Sequence, residues 1–443
     1  MELHKSLPTG WEWKKLIEIA EDNKNAIVDG PFGSNLKVSD YIKSTEGVPV
    51  LTTKNLDGVY DNENLRYISH EKFKELRRSE VRGGDILVAK IGSCGKTGIY
   101  PKNMPSAIIP ANLLKISVKD SVNKMYVYYY LNSNGFRNKL SEITTATAQP
   151  AFAVTKFRKL PIPLPNRQAQ DDIVEKIEEL FSQLDEGVAG LKRAQAALKH
   201  YRGSVLKAAF EGRLVPQDPN DEPANVLLRM IGKKPKIEDN PEEELPKSWE
   251  WATLNDISTI ILGQSPPSST YNFERVGLPF FQGKAEFGKI YPTADRWCSK
   301  PKKIADKDDV LISVRAPVGP TNLASEKCCI GRGLAAIRAK KIILSKYIFY
   351  YFRSIENDWG RKSTGTTFKA ITGNILKNSI IPLAPIEEQS RIVNKIETNL
   401  SLIDKLTITL DTEVERSSSL RNSILKSAFS GNLISYDPPI DNL

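Results

Sequence analysis

Gly92-Ser93-Cys94-Gly95-Lys96-Thr97 is the stretch whose residue types come nearest to a known chemistry. A phosphate-binding loop ends in Gly-Lys-Thr so that backbone amides and the lysine cradle phosphates while the hydroxyl holds magnesium. That motif opens on a glycine five residues before its second one. Lys90 stands at that position here, and Ala89 comes one residue too early. The spacing therefore predicts a glycine-rich loop presenting Lys96 to a phosphate, and not a nucleotide site. A base-flipping methyltransferase would need Asn/Asp-Pro-Pro before an aromatic residue, but Asp437-Pro438-Pro439 runs into Ile440. A metal nuclease would need a carboxylate between Asp85 and Lys90, and there is none. With only His4, His70 and His200, and with Cys94, Cys298, Cys328 and Cys329 outside any ligand spacing, no catalytic residue, metal or cofactor is assigned.

What remains suits contact rather than conversion. Lysines and hydroxyls match phosphate oxygens, and an arginine can take guanine through two hydrogen bonds. Lys90, Ser93, Lys96 and Thr97 after one strand-like run, and Arg315 after another, are candidate DNA contacts. Lys54-Asn55 and Gln282-Gly283-Lys284, each following a short apolar run, extend the set. For any one of them the plainer reading is a solvated loop residue. The net charge of +10 favours a polyanionic partner, although basic surfaces also draw acidic proteins and membranes.

The elements that must position these residues occur twice. Leu7-Pro8 followed by Trp11-Glu12-Trp13 returns as Leu245-Pro246 followed by Trp249-Glu250-Trp251. Lys207-Ala208-Ala209-Phe210 returns as Lys426-Ser427-Ala428-Phe429. Strand-like runs are Val48–Leu51, Asp85–Ile91 and Leu113–Ile116, repeated as Leu278–Phe281, Asp309–Val314 and Leu334–Ile337. Short helices are expected at Lys124–Asn132 and Ser345–Arg353. All length change between the copies lies in these α+β parts, while the helical parts keep a constant offset.

Each copy ends in a heptad helix. Ile177, Leu184, Leu191, Leu198 and Val205 form one track, with Ile173, Leu180, Gly187, Ala194 and Tyr201 as the other. In the second copy the tracks are Ile396, Ile403, Leu410, Ser417, Ile424 and Ile392, Asn399, Leu406, Glu413, Leu420. Prolines precede each helix, and Gly212 and Gly431 close them. A helix of about 42 residues would be roughly 60 Å long, and the two are expected to pack on each other. The chain divides as residues 1–165, a first domain; 166–214, a helix; 215–245, a linker; 246–385, a second domain; 386–434, a helix; and 435–443, a tail. This is a pseudo-dimer within one chain, with a shared scaffold and two diverged heads.

Apolar content of 40% and charged content of 26% are ordinary for a globular protein. No run suits a membrane span, and Glu2, His4 and Lys5 interrupt any export signal, so a reducing, cytoplasmic setting without membrane is expected.

The order of these features resembles the specificity subunit of type I restriction–modification systems. Besides the repeated Leu-Pro-x-x-Trp starts, the resemblance rests on Ile162-Pro163-Leu164-Pro165…Gln170, Ile381-Pro382-Leu383…Glu388-Gln389 and Ser363-Thr364-Gly365-Thr366-Thr367. Two departures are Thr145-Ala146-Thr147-Ala148, where the family has Thr-Gly-Thr-Thr, and Arg167-Gln168-Ala169-Gln170, where it has an acidic Glu-Gln. The resemblance implies two α+β target-recognition domains alternating with two long helices that pair as an antiparallel coiled coil, in pseudo-two-fold fashion. It implies a non-catalytic reader of a bipartite, asymmetric site in double-stranded DNA. Two methyltransferase (M) subunits carrying S-adenosylmethionine would dock on it, joined by restriction (R) subunits. The alternative is a basic coiled-coil adaptor that does not read DNA.

Overall fold

A computed structural model describes residues 7–33, 35–43, 45–58, 60, 65–146, 148–233, 244–362 and 370–434. The chain forms two compact units, one of Met1–Leu191 with Thr412–Leu443, the other of Lys192–Asp411. The long helices Arg167–Phe210 and Ile386–Phe429, of 44 residues each, both start in one unit and end in the other.

In the first unit a four-stranded antiparallel sheet has the order Ile27–Asp29, Leu113–Ile116, Ile86–Ala89, Thr97–Ile99. In the second unit the order is Ser258–Leu262, Leu334–Ala339, Val310–Ser313, Thr321–Leu323. A five-stranded sheet accompanies each, with one parallel strand pair, through Val50 with Ile108 in the first and Phe280 with Cys329 and Phe281 with Ile330 in the second. The inner strands are mostly apolar, because both faces are covered, with Lys115, Ser313 and Arg338 as the polar exceptions. The repeated acidic residue at the strand start is a turn device. The Asp85 carboxylate accepts from the Arg82 amide, and Asp309 accepts from the Asp306 amide, both at 2.8 Å. The preceding residue takes a left-handed backbone in both units, Gly84 at φ +92° and Asp308 at φ +68°. Buried Asp85 lies 3.5 Å from Lys115 and buried Asp309 lies 2.8 Å from Arg338, so each carboxylate keeps a cation.

A short antiparallel pair closes each domain on itself, Glu12–Lys15 with Pro161–Leu164 and Glu250–Thr253 with Ile380–Leu383. Pro161, Pro163 and Pro382 are tolerated because a two-stranded ribbon leaves one edge of each strand unpaired. The following glutamine latches the helix to its domain. Gln170 donates to Pro165 O and accepts from the Asn123 amide. Gln389 donates to Ala384 O and accepts from the Leu344 amide. The departure at Ala169 has a structural counterpart, because its match, Glu388, accepts from the Trp249 indole at 2.9 Å and from Gln217 at 2.6 Å. Burial pushes the Glu388 carboxyl above its usual range.

The helix ends cross over between copies. Phe210 lies edge-on to Tyr347 and Tyr351 of the second domain, with centroids at 5.1 and 5.2 Å. Phe429 lies edge-on to Tyr126 and Tyr130 of the first, both at 5.2 Å. Gly212 (φ +70°) abuts Pro246, and Gly431 (φ +73°) abuts Pro8, so closely that a Cβ would sit 2.2 Å or 2.1 Å from the proline Cγ. Each Leu-Pro-x-x-Trp start is thus the seat for the end of the other copy's helix. In each unit, the start of one helix and the end of the other seal the same core, Ile173 and Ile177 with Leu425 and Ala428, or Val205 and Ala209 with Ile396 and Leu400.

Within each unit the two helices pair antiparallel. In the first, Arg421 bonds to Asp185 and covers the Phe181 ring at 4.6 Å. In the second, Gln195 donates to Asp411 at 2.6 Å and Arg202 bonds to Asp404. The expected track through Ile177 and Ile403 faces the partner, but its companion holds only at its first members, Ile173 and Ile392, and is displaced beyond them. Tyr201 and Leu406 are 52% and 43% exposed, and the inward positions are Phe181, Val188, Gln195, Arg202 and Ala209, matched by Leu400, Thr407, Val414, Arg421 and Ala428. Positions three and four residues on from the first track share a helix face, and the partner's placement selects the latter. Residues 215–245, expected as a linker, contain the helix Ala224–Met230, which buries Leu227 and Leu228. The expected tail and Ser363–Thr367 lie outside the described residues. Among the described residues no helix is long and apolar enough to cross a membrane, and no His/Cys/Asp/Glu group could hold a metal ion.

Candidate functional site

One end of each four-stranded sheet gathers most of the residues singled out in the sequence. In the first domain that end is made by the loops after Ile27–Asp29 and Ile86–Ala89 and the turn before Leu113–Ile116; the second of these carries Lys90, Ser93 and Lys96, whereas Lys54 and Asn55 follow Val48–Val50 of the five-stranded sheet. Lys90 is 7% exposed, with its ammonium 2.6 Å from Asp29 and 5.3 Å from the Phe32 ring centroid. Exposed Arg78 reaches the same Asp29 at 3.3 Å. Lys90 therefore serves as a buried counter-ion and is not presented to solvent. Thr97 is 6% exposed and donates its hydroxyl to Gly95 O. Asn55 is 1% exposed, its side-chain oxygen accepting from the Thr52 amide and hydroxyl. These three side chains shape loops, which corrects the expectation that they face a ligand.

Ser93 and Lys54 are exposed. Lys96 is partly exposed and holds Asp57 at 2.6 Å, a surface pair that water and salt screen and a phosphate could displace. The loop carrying Ser93 and Lys96 does not lead into a helix, as a nucleotide site requires, but into the strand Thr97–Ile99. Its amides are also occupied, Gly92 on Pro150 O, Gly95 on Ala89 O and Lys96 on Ser93 O. Cys94 donates to Lys90 O and Pro150 O, pinning the loop to the segment that leads into the first long helix. Beside it opens a cleft of about 1240 Å³ lined by Ser93, Lys96, Asp57, Tyr128, Asn132 and Arg137. Leu56, Ile99, Met125 and Leu140 make much of its wall apolar, and the hydroxyl, amide and cationic groups are set among them.

In the second domain Arg315 is exposed beyond Val310–Ser313, and it bridges to Ala370 as Ile91 does to Ala151 in the first. Lys284 is exposed at the start of the short turn Lys284–Glu286, and Gln282 is half-buried at the sheet end. Sequence reading passed over Phe32, 63% exposed in Gly30-Pro31-Phe32-Gly33, and Arg332 in Gly331-Arg332-Gly333. An aromatic or arginine flanked by glycines was the available signal.

A family model described as type I restriction modification DNA specificity domain matches residues 8–190 and again 246–416. The putative type I restriction enzyme MjaX specificity subunit of Methanocaldococcus jannaschii is 32% identical over 90% of this chain and 88% of its own length. The type I restriction enzyme EcoAI specificity subunit of Escherichia coli is 24% identical over 95% of this chain and 83% of its own. The crystal structure of the HsdS subunit from Thermoanaerobacter tengcongensis aligns with a TM-score of 0.62 at 28% identity, covering 96% of this chain and 98% of that one. A chain from a structure addressing complex assembly and conformational transition of the type I R-M system aligns at 0.70, with 28% identity over 96% and 99%.

Proposed function

The chain belongs to the type I restriction modification DNA specificity domain family, and from that premise we propose that it reads a bipartite, asymmetric site in double-stranded DNA, half with each domain. As a specificity subunit it is the non-catalytic component of its complex. The observation that carries the bipartite reading is the contrast within each unit between a repeated joint and a varied sheet end. The aromatic, proline and glutamine contacts at the helix joints recur residue for residue. The matching loops after Ile86–Ala89 and Val310–Ser313 present Ser93 and Lys96 in one domain and Arg315 in the other. A constant frame with two different tips fits two different half-sites.

Within this reading, residues 1–165 and 246–385 are the two readers. Lys54, Ser93 and Lys96 meet phosphates, and Gln282, Lys284 and Arg315 meet base edges or phosphates. Lys90, Asn55 and Thr97 act by shaping those loops. Two methyltransferase subunits dock on the scaffold, restriction subunits join them, and the assembly works in the cytoplasm. The helix pair sets the distance between half-sites. Matched insertions of one heptad after Leu191 and after Asp411 should lengthen each helix by about 10 Å. The spacer should then grow by roughly three base pairs at ~3.4 Å each.

The deciding experiment exchanges residues 246–380 for those of a relative and sequences DNA methylated by the reconstituted complex. Only one half-site should change, with the other half and the spacer intact. A folded chimaera that scrambles both halves would overturn the reading, and a chain that retains no DNA would return the adaptor alternative.

A further inference from the structure

The turn before the second strand of each four-stranded sheet has the same backbone in both domains. Leu113 N donates to Pro110 O, and Leu334 N donates to Gly331 O, both at 3.0 Å. Gly30 N reaches Leu113 O as Gly263 N reaches Leu334 O, and Lys90 N reaches Asn112 O as Val314 N reaches Gly333 O. Residue for residue, Pro110-Ala111-Asn112 is Gly331-Arg332-Gly333. The frame is shared, and its tip is a methyl group in one domain and a guanidinium in the other.

We infer that Arg332 is a base-reading side chain of the second domain, one that takes a guanine in that domain's half-site; this rests on the bipartite reading above. The turn is held on all sides. Gly331 N donates to Phe281 O at 2.8 Å, Gln264 N to Ile330 O at 3.1 Å, and Arg332 N to the Ser265 hydroxyl at 3.2 Å. Both glycines press on Gln282, where a Cβ at 331 would come within 3.2 Å of its Cα and one at 333 within 2.2 Å of its carbonyl oxygen. The side chain itself is exposed, and among the described residues its guanidinium has no hydrogen-bond or ion-pair partner. Arg338, in the following strand, is the contrast, held by Asp306 at 2.7 Å and Asp309 at 2.8 Å. A fixed backbone carrying an uncommitted planar fork is pre-organised for the O6/N7 edge of guanine. Half-buried Gln282 lies against the same turn, and Arg315 follows the neighbouring strand.

The test takes the full chain, with modification subunits, through selection on a randomised duplex library, beside Arg332→Ala and Arg332→Lys. Alanine already occupies the matching position as Ala111, so the turn tolerates it. The wild type should enrich a two-part site with a guanine in the half changed by the domain exchange. Arg332→Ala should lose discrimination at that one position by roughly 5- to 150-fold, the range of a two-bonded arginine–guanine contact. Arg332→Lys should keep overall affinity yet lose most of the same discrimination. An unchanged selected site in both variants would overturn the assignment while leaving the bipartite reading intact. So would affinity falling equally on all sequences with a salt slope smaller by about one, the mark of a phosphate contact. A wild type that enriches no site would overturn the DNA-reading premise and this inference with it.

Discussion

The two helix joints and the two sheet ends differ in what repetition preserved. At the joints, Phe210 on Tyr347 and Tyr351 repeats Phe429 on Tyr126 and Tyr130, and Gly212 on Pro246 repeats Gly431 on Pro8. At the sheet ends the backbone bonds repeat but the side chains do not, Lys90 standing against Val314 and Ala111 against Arg332. The joint must fit another part of the same molecule, so close packing penalises nearly any change. The tip meets only what comes from outside, and is free to differ.

The largest test of this contrast is at the aromatic joints. Phe210→Ala and Phe429→Ala should each cost about 3–5 kcal/mol by denaturant titration. Hydrogen exchange should rise around Tyr347 in the first variant and around Tyr126 in the second. Unequal costs would mean that the joints are not equivalent. Gly212→Ala and Gly431→Ala come next at about 1–3 kcal/mol, because the added methyl meets proline and the backbone is left-handed. Lys90→Met should destabilise the first domain by about 1–3 kcal/mol, since Asp29 keeps only exposed Arg78. A variant that is fully stable yet loses DNA would place Lys90 at the interface after all.

Asp404 gives a smaller, pH-dependent effect. Burial alone would raise its carboxyl, but Lys289 and Arg202 hold it below the ordinary value of 3.8. A lowered carboxyl contributes stability above the unfolded-state value and loses it as pH falls through and below 3.8. Asp404→Asn should therefore be less stable than wild type at neutral pH, by about 1 kcal/mol or less, with the gap closing in acid. A gap that widens in acid would refute the pairing. Lys96→Ala should change stability least, by about 0.5 kcal/mol at most. It should weaken DNA binding on every sequence and lower the salt slope by about one.

The sequence by itself determined the duplication, the strand and helix types and the first heptad track, because periodicity, glycine and proline report local geometry. Val310–Ser313 and Lys124–Asn132 were legible from their apolar runs, and the structure adds the cap of the helix, Asn123, which accepts from the Met125 amide. The second heptad track was not, because the outward Leu406 and inward Thr407 differ only in where the partner helix lies. Nor was the fate of Lys90 and Asn55, which match a DNA contact in type but are buried. Lys90's partner, Asp29, is distant in sequence, so only the pairing of Ile27–Asp29 with Leu113–Ile116, beside Ile86–Ala89, brings the charges together. Arg332 was passed over for the converse reason. Between two glycines it reads as a turn, and only the tertiary frame shows that those glycines are pressed on Gln282 while the guanidinium stands free. Local pattern fixes what each segment can become. Long-range packing decides which polar side chains are consumed by the fold and which are left to face a ligand.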